Sequence, residues 1–142
     1  MARAFVLLGI VCGSIVVGSA PRAQDVRSVW EGVYTEAQAE RGKALYFERC
    51  VRCHGPMLQG GTDGAGPLTG PTFNANWNGV PLGQMLDRVR ATMPQDKPLT
   101  LSRQQTADAL AFIFSANKIP PGKAELPRQA EMLNLIQFKS TK

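Results

Sequence analysis

Residues 50–54 read Cys50-Val51-Arg52-Cys53-His54, and the chemistry of this stretch decides what the rest of the chain must build. Two thiols three residues apart reach the two vinyl groups of one porphyrin, and the adjacent imidazole ligates the iron from one face. Cys-x-x-Cys-His is the pattern of c-type haem attachment. Two other chemistries use similar residues. A dithiol redox pair sits in a βαβ setting rich in β-branched runs, and none lies nearby. A structural zinc site takes four protein ligands, whereas His54 is the only histidine and the third cysteine, Cys12, lies far upstream in a segment expected to be removed.

That upstream segment has the build of a secretory signal. Arg3 supplies a positive start, Ala4 to Val17 is an almost unbroken apolar run, and Gly18-Ser19-Ala20 follows. The run is short for a bilayer span, which takes about 20 apolar residues; an uncleaved anchor helix is the alternative. We expect residues 1–24 to be the signal, 25–35 an N-terminal arm, 36–118 one helical domain and 119–142 a tail. Export suits the motif, because c-type haem is attached outside the cytoplasm in bacteria. The whole chain carries 16 Lys and Arg against 11 Asp and Glu; losing Arg3 and Arg22 leaves 14 against 11. So small an excess, with no dense basic block, gives no footing for nucleic acid.

Directly before the motif, Thr35-Glu36-Ala37-Gln38 has capping-box form and predicts a helix to about Arg49. Ala39, Gly42 and Tyr46 share one face of it. Gly42, in mid-helix, costs about 1 kcal/mol relative to alanine, and close approach of a second helix would compensate. Beyond the motif, residues 55–80 hold seven glycines and three prolines and no regular period. A loop of that length is unusual in a compact domain unless a flat cofactor supplies the packing partner. Within it, Pro67 of Gly66-Pro67-Leu68 has a carbonyl free to accept the His54 ring N–H, a bond that fixes the imidazole tautomer; an ordinary turn is the alternative. Phe73 and Trp77 suit either a porphyrin edge or core packing, and the Trp77 indole N–H suits a propionate.

Leu82, Met85, Leu86 and Val89 predict a second helix over about 82–91. Ser102-Arg103-Gln104-Gln105 caps a third, to about Ala116, with Ala107, Leu110, Ala111 and Phe114 as its buried stripe. Lys118 and Pro120-Pro121-Gly122 end it. The tail beyond is too apolar to be purely solvated, and either packs on the domain or meets a partner. Among five methionines, Met1 leaves with the signal, Met57 lies too close behind His54, Met85 belongs to a helical stripe, and Met132 lies in the tail. Met93, on a loop beside Pro94 and 39 residues after His54, is the candidate sixth ligand; a methionine packing on the haem edge is the alternative.

With these residues identified, the sequence resembles the class I c-type cytochromes. The likeness covers residues 36–118. It rests on Gly42-x-x-x-Tyr46-x-x-x-Cys50-x-x-Cys53-His54-Gly55, on Gly66-Pro67-Leu68, on Met93-Pro94, and on Ala111-Phe112-Ile113. It implies an all-α small cytochrome c fold, three to four helices wrapped around one covalently attached haem. It also implies thioethers at Cys50 and Cys53, axial iron ligands at His54 and Met93, Pro67 as acceptor for the His54 ring, and first and last helices crossing at Gly42 against Tyr46 and Phe112. The lead-in Trp30-Glu31-Gly32-Val33-Tyr34-Thr35 and Gln38 to Gly42 is similar to that of cytochrome domains accompanying quinoprotein (PQQ-dependent) dehydrogenases.

A six-coordinate haem has no open site for substrate, so the expected role is one-electron transfer rather than enzymology. The expected partners are a periplasmic dehydrogenase as donor and an oxidase or another cytochrome as acceptor. No stable membrane span is expected after signal cleavage. A peroxidase would need a distal acid/base, for which the loop offers only Gln95 and Asp96. A gas sensor would need Met93 to be displaceable.

Overall fold

The computed structural model describes residues 26–61 and 64–142. The expected signal, with Cys12, lies outside the described residues. Four helices of eight residues or more dominate: α1 (Glu36–Arg49), α3 (Gly70–Trp77), α4 (Leu82–Thr92) and α5 (Arg103–Ala116). Two single-turn helices, α2 (Val51–His54) and α6 (Ala130–Leu133), and a 3-10 turn at Val29–Glu31 accompany them. Among the described residues the fold is all-α apart from a two-residue parallel pair, β1 (Arg27–Ser28) with β2 (Ile136–Gln137), and a single antiparallel bridge between Pro81 and Gln137. Among the described residues no helix is long and apolar enough to cross a membrane.

The starts of α1 and α5 follow from their caps. The Thr35 hydroxyl accepts from the Gln38 amide at 3.1 Å. Ser102 and Gln105 bond reciprocally, at 3.1 and 2.9 Å, as a complete capping box. The apolar stripes of both helices then meet. Gln38, Ala39, Gly42 and Tyr46 are buried on α1, and Ala107, Leu110, Ala111 and Phe114 on α5. At the crossing, a methyl added to Gly42 would overlap the Asp108 carbonyl oxygen and press on the Phe112 side chain. Only glycine lets the two backbones come that close. One turn on, Tyr46 packs against Phe112 with centroids 5.2 Å apart.

The crossing also carries a satisfied polar seam. Asp108, 7% exposed, is gripped bidentately by Arg41 at 3.1 Å twice and receives Gln104 at 2.8 Å. Arg41 reaches Glu125 of the C-terminal segment at 2.8 Å as well. Fully buried Gln38 donates to the Leu126 carbonyl and accepts from the Leu126 amide, at 3.1 and 2.7 Å.

One element departs from the sequence reading. Residues 55–80 are not wholly irregular, because α3 forms at 70–77. Pro71 sits in its first turn, where its missing N–H costs nothing, and Phe73 and Trp77, four residues apart, pack with their rings tilted by 49°. For the tail, packing on the domain is the alternative the structure shows, and the arm joins the same core. Val29, Val33 and Tyr34 from one end, with Leu126, Leu133, Ile136 and Phe138 from the other, share the hydrophobic cluster of α1, α4 and α5. Tail residues 126–138 therefore pack over the domain. A chain with too few strands and turns to reveal such pairing locally gives no periodic signal for it.

Gly42→Ala is expected to destabilise the protein by about 1–3 kcal/mol through overpacking. The reading is a lower guanidinium midpoint at unchanged slope. An unaltered midpoint would show that the helices do not depend on this approach.

Candidate cofactor site

Helix α1 ends at Cys50, whose amide still bonds the Tyr46 carbonyl, and α2 carries the rest of the motif. Cys53 and His54 both donate their amides to the Cys50 carbonyl, at 3.2 and 3.0 Å. This single turn keeps Cys50, Cys53 and His54 together. Gly55 closes it with φ +76° and ψ 157°, a backbone conformation open essentially to glycine. Tyr46 donates its phenol to the Gly55 carbonyl at 2.6 Å, tying the end of the motif back to the helix crossing. Both cysteines are free thiols and half-buried. Burial pushes the Cys50 thiol up to about 11, with the neighbouring Cys53 adding to the shift against Arg49.

His54 Nδ1 lies 3.0 Å from the Gly66 carbonyl oxygen. The acceptor is thus the residue before Pro67, not Pro67 itself. A residue preceding proline is biased toward extended backbone, and here it is the Gly66 carbonyl that meets the ring, while Pro67 lines the adjoining cavity. The loop that presents Gly66 is pinned on both sides. Leu68 donates to Leu58 at 2.8 Å and Gly60 to His54 at 2.9 Å. Asn117, at the end of α5, donates to Leu68 at 2.9 Å and accepts from Gly70 at 3.3 Å.

A cavity of about 430 Å³ opens at this point, lined by His54, Gly66, Pro67, Leu68, Phe73, Asn76, Trp77, Arg88 and Met93. Its size falls within the range of small-molecule and cofactor sites. His54, Pro67, Trp77 and Met93, assembled from four separate segments, thus share one cavity, with Cys50 and Cys53 in the turn that carries His54. Met93 reaches it from the C-cap of α4, its amide on the Val89 carbonyl at 2.8 Å. The other methionines among the described residues lie elsewhere: Met85 is 1% exposed in the core, whereas Met57 and Met132 are exposed.

Two lining residues escaped the sequence reading. Arg88 places its guanidinium carbon 5.6 Å from the Trp77 ring centroid, a cation–π arrangement. Asn76 precedes Trp77 on α3. A lone cation on a helix reads as solvated surface, and an asparagine beside a tryptophan carries no pattern, so neither had a signal. Asn117 had a weak one, as an asparagine at a helix end.

A half-buried imidazole and a thioether meeting in one cavity, beside two free thiols and below a close crossing of first and last long helices, define a class I c-type cytochrome. Residues 37–113 match the family described as cytochrome c oxidase, cbb3-type, subunit III. The chain belongs to that family. A search of curated proteins found no match, and neither did a search of solved structures. Membership points to a haem-containing electron-transfer protein, and the donor set here fits haem c: nitrogen and sulfur ligands for iron, two thiols, and apolar walls from Leu68, Phe73 and Trp77.

Burial, with a smaller contribution from Cys50, pushes the Tyr46 phenol up to about 12 from its ordinary 10.0. Only the neutral phenol donates to Gly55. The folded state therefore holds this proton more tightly than the unfolded chain does. That stabilisation is complete below pH 10 and is lost as pH rises through 12. Denaturation midpoints are expected to fall between pH 10 and 12, and to fall less steeply in Tyr46→Phe. Identical pH profiles would contradict this placement of the phenol.

Proposed function

We propose that the chain is an exported, mono-haem cytochrome c that carries single electrons between a periplasmic dehydrogenase and a downstream oxidase or cytochrome. The observation that carries this reading is the convergence of His54 and Met93 on one cavity beside Cys50 and Cys53. In this reading Cys50 and Cys53 supply the thioether links, and His54 and Met93 the two axial ligands. When bound, haem supplies an iron couple that takes up and releases one electron.

The protein's own groups set the conditions for that couple. The Gly66 carbonyl holds the His54 ring in one orientation and increases its basicity as a ligand. The Met93 thioether favours ferrous iron and raises the potential. Leu68, Phe73 and Trp77 exclude water from the pocket. With His54 and Met93 both holding the iron, a bound haem would leave no place for substrate, which favours carrier over catalyst.

The donor we favour is a quinoprotein (PQQ-dependent) dehydrogenase, from the likeness of the Trp30 to Gly42 lead-in. The family's description as an oxidase subunit supports a respiratory acceptor. Encounters of this kind are small and transient. Periplasmic placement belongs to the same proposal, as do the signal at 1–24 and the division at 25–35, 36–118 and 119–142.

Optical spectra of the oxidised and reduced holoprotein, beside Met93→Ala, test the ligand set. The wild type is expected to show a thioether-to-iron charge-transfer band at the red end, absent from the variant, and to resist carbon monoxide when reduced. Ready carbon monoxide uptake by the wild type would overturn the carrier reading in favour of a displaceable sixth site.

A further inference from the structure

The wall of the cavity formed by α3 is held from behind by the last residues of the chain. Phe138, 1% exposed, meets Phe73 edge-on, with centroids 5.5 Å apart and an interplanar angle of 90°. It also packs on Phe114 of α5 at 6.0 Å. Phe73 in turn packs on Trp77 at 6.4 Å, and both line the cavity. The backbone repeats the connection. Gly79 donates to the Phe138 carbonyl at 2.8 Å, and Phe138 donates to the Val80 carbonyl at 2.9 Å. Ser140 donates to the Asn78 side-chain oxygen at 3.0 Å. The turn that directly follows Trp77 is thus zipped to residues 138–140.

That zipper is anchored in its own right. Strand β2 pairs with β1, and the Trp30 indole donates to the Lys139 carbonyl at 2.9 Å. Otherwise helix α3 is held at its start by the Gly70 amide on Asn117 and at its end by Arg88 over Trp77; it is eight residues long and the Thr69 side chain makes no capping bond. A helix this short is marginal on its own and takes its position from packing.

We infer that Phe138 is a positioning residue of the cofactor pocket, holding Phe73 and Trp77 in the cavity wall and so setting how much water reaches the bound group. This rests on the reading that haem occupies the cavity. Burial disfavours the more highly charged ferric state, and burial is one of the levers on haem potential. A loosened wall therefore lowers the potential.

The test uses the full-length holoprotein and four forms: wild type, Phe138→Ala, Phe138→Leu and Leu126→Ala. Leu126 is equally buried, in the same tail, but bonds Gln38 of α1 rather than α3. Midpoint potentials and denaturation midpoints are measured together. Phe138→Ala is expected to lower both, and Phe138→Leu to lower the potential by less. Leu126→Ala is expected to lower the denaturation midpoint alone. Should Phe138→Ala fail to fold, the Phe138→Leu and Leu126→Ala pair decides. An unmoved potential in the Phe138 variants, or an equal shift in Leu126→Ala, would overturn the inference while leaving the carrier reading intact. A wild type without the thioether-to-iron band would overturn the reading on which it rests.

Discussion

Everything at the cofactor site is downstream of the contact between Gly42 of α1 and the Asp108 backbone of α5. The crossing places Tyr46 one turn further along α1, and its phenol bonds the Gly55 carbonyl that ends the Cys50–His54 turn. Displacing α1 along α5 would therefore carry both cysteines and His54 with it. The other end of α5 is coupled to the same site by Asn117, which holds Leu68 and Gly70 on either side of the loop that presents Gly66 to His54. Two helices thus position both the imidazole and its hydrogen-bond acceptor.

The site divides into a local half and a tertiary half. Cys50, Cys53 and His54 need only one helical turn and a glycine at its end. Met93, Trp77 and Arg88 arrive from the cap of α4, from α3 and from α4, and their convergence depends on how those helices pack. The polar seam of Arg41, Asp108 and Glu125 adds to this packing. A buried carboxylate would be costly alone, but here it is paired and fully hydrogen-bonded. The raised affinity of Arg41 for its proton follows from its two carboxylate partners.

The local half was legible in the sequence for the same reason. The motif, the Thr35 cap, the Ser102–Gln105 capping box, the stripes of α1, α4 and α5 and the packing role of Gly42 are short-range patterns; the reciprocal half of the box expected at Thr35 does not form, because the Gln38 side chain is taken by Leu126. The place of Met93 in the cavity was reachable by elimination, since Met1, Met85 and Met132 had evident homes in a signal, a stripe and a tail and Met57 lay too close behind His54. What escaped was long-range. Helix α3 was hidden because Gly70, Pro71, Asn74 and Asn76 dilute any helical period, and Phe138, some sixty residues away, gives its buried face a partner. The Gly66 carbonyl was missed in favour of Pro67 because sequence marks the proline and not the direction its neighbour's carbonyl takes. The β1–β2 pair, two residues on each strand, is below any periodic signal.

The central claim is that this chain holds one haem covalently through Cys50 and Cys53, with His54 beside them. It is tested most directly by producing the full chain in a bacterial host able to attach c-type haem, then measuring the purified protein's intact mass and its alkaline pyridine haemochrome. The expected product is a polypeptide heavier by one haem, with one haem per chain that stays bound through denaturation. Haem that is released on denaturation, or a chain that acquires none, would contradict it.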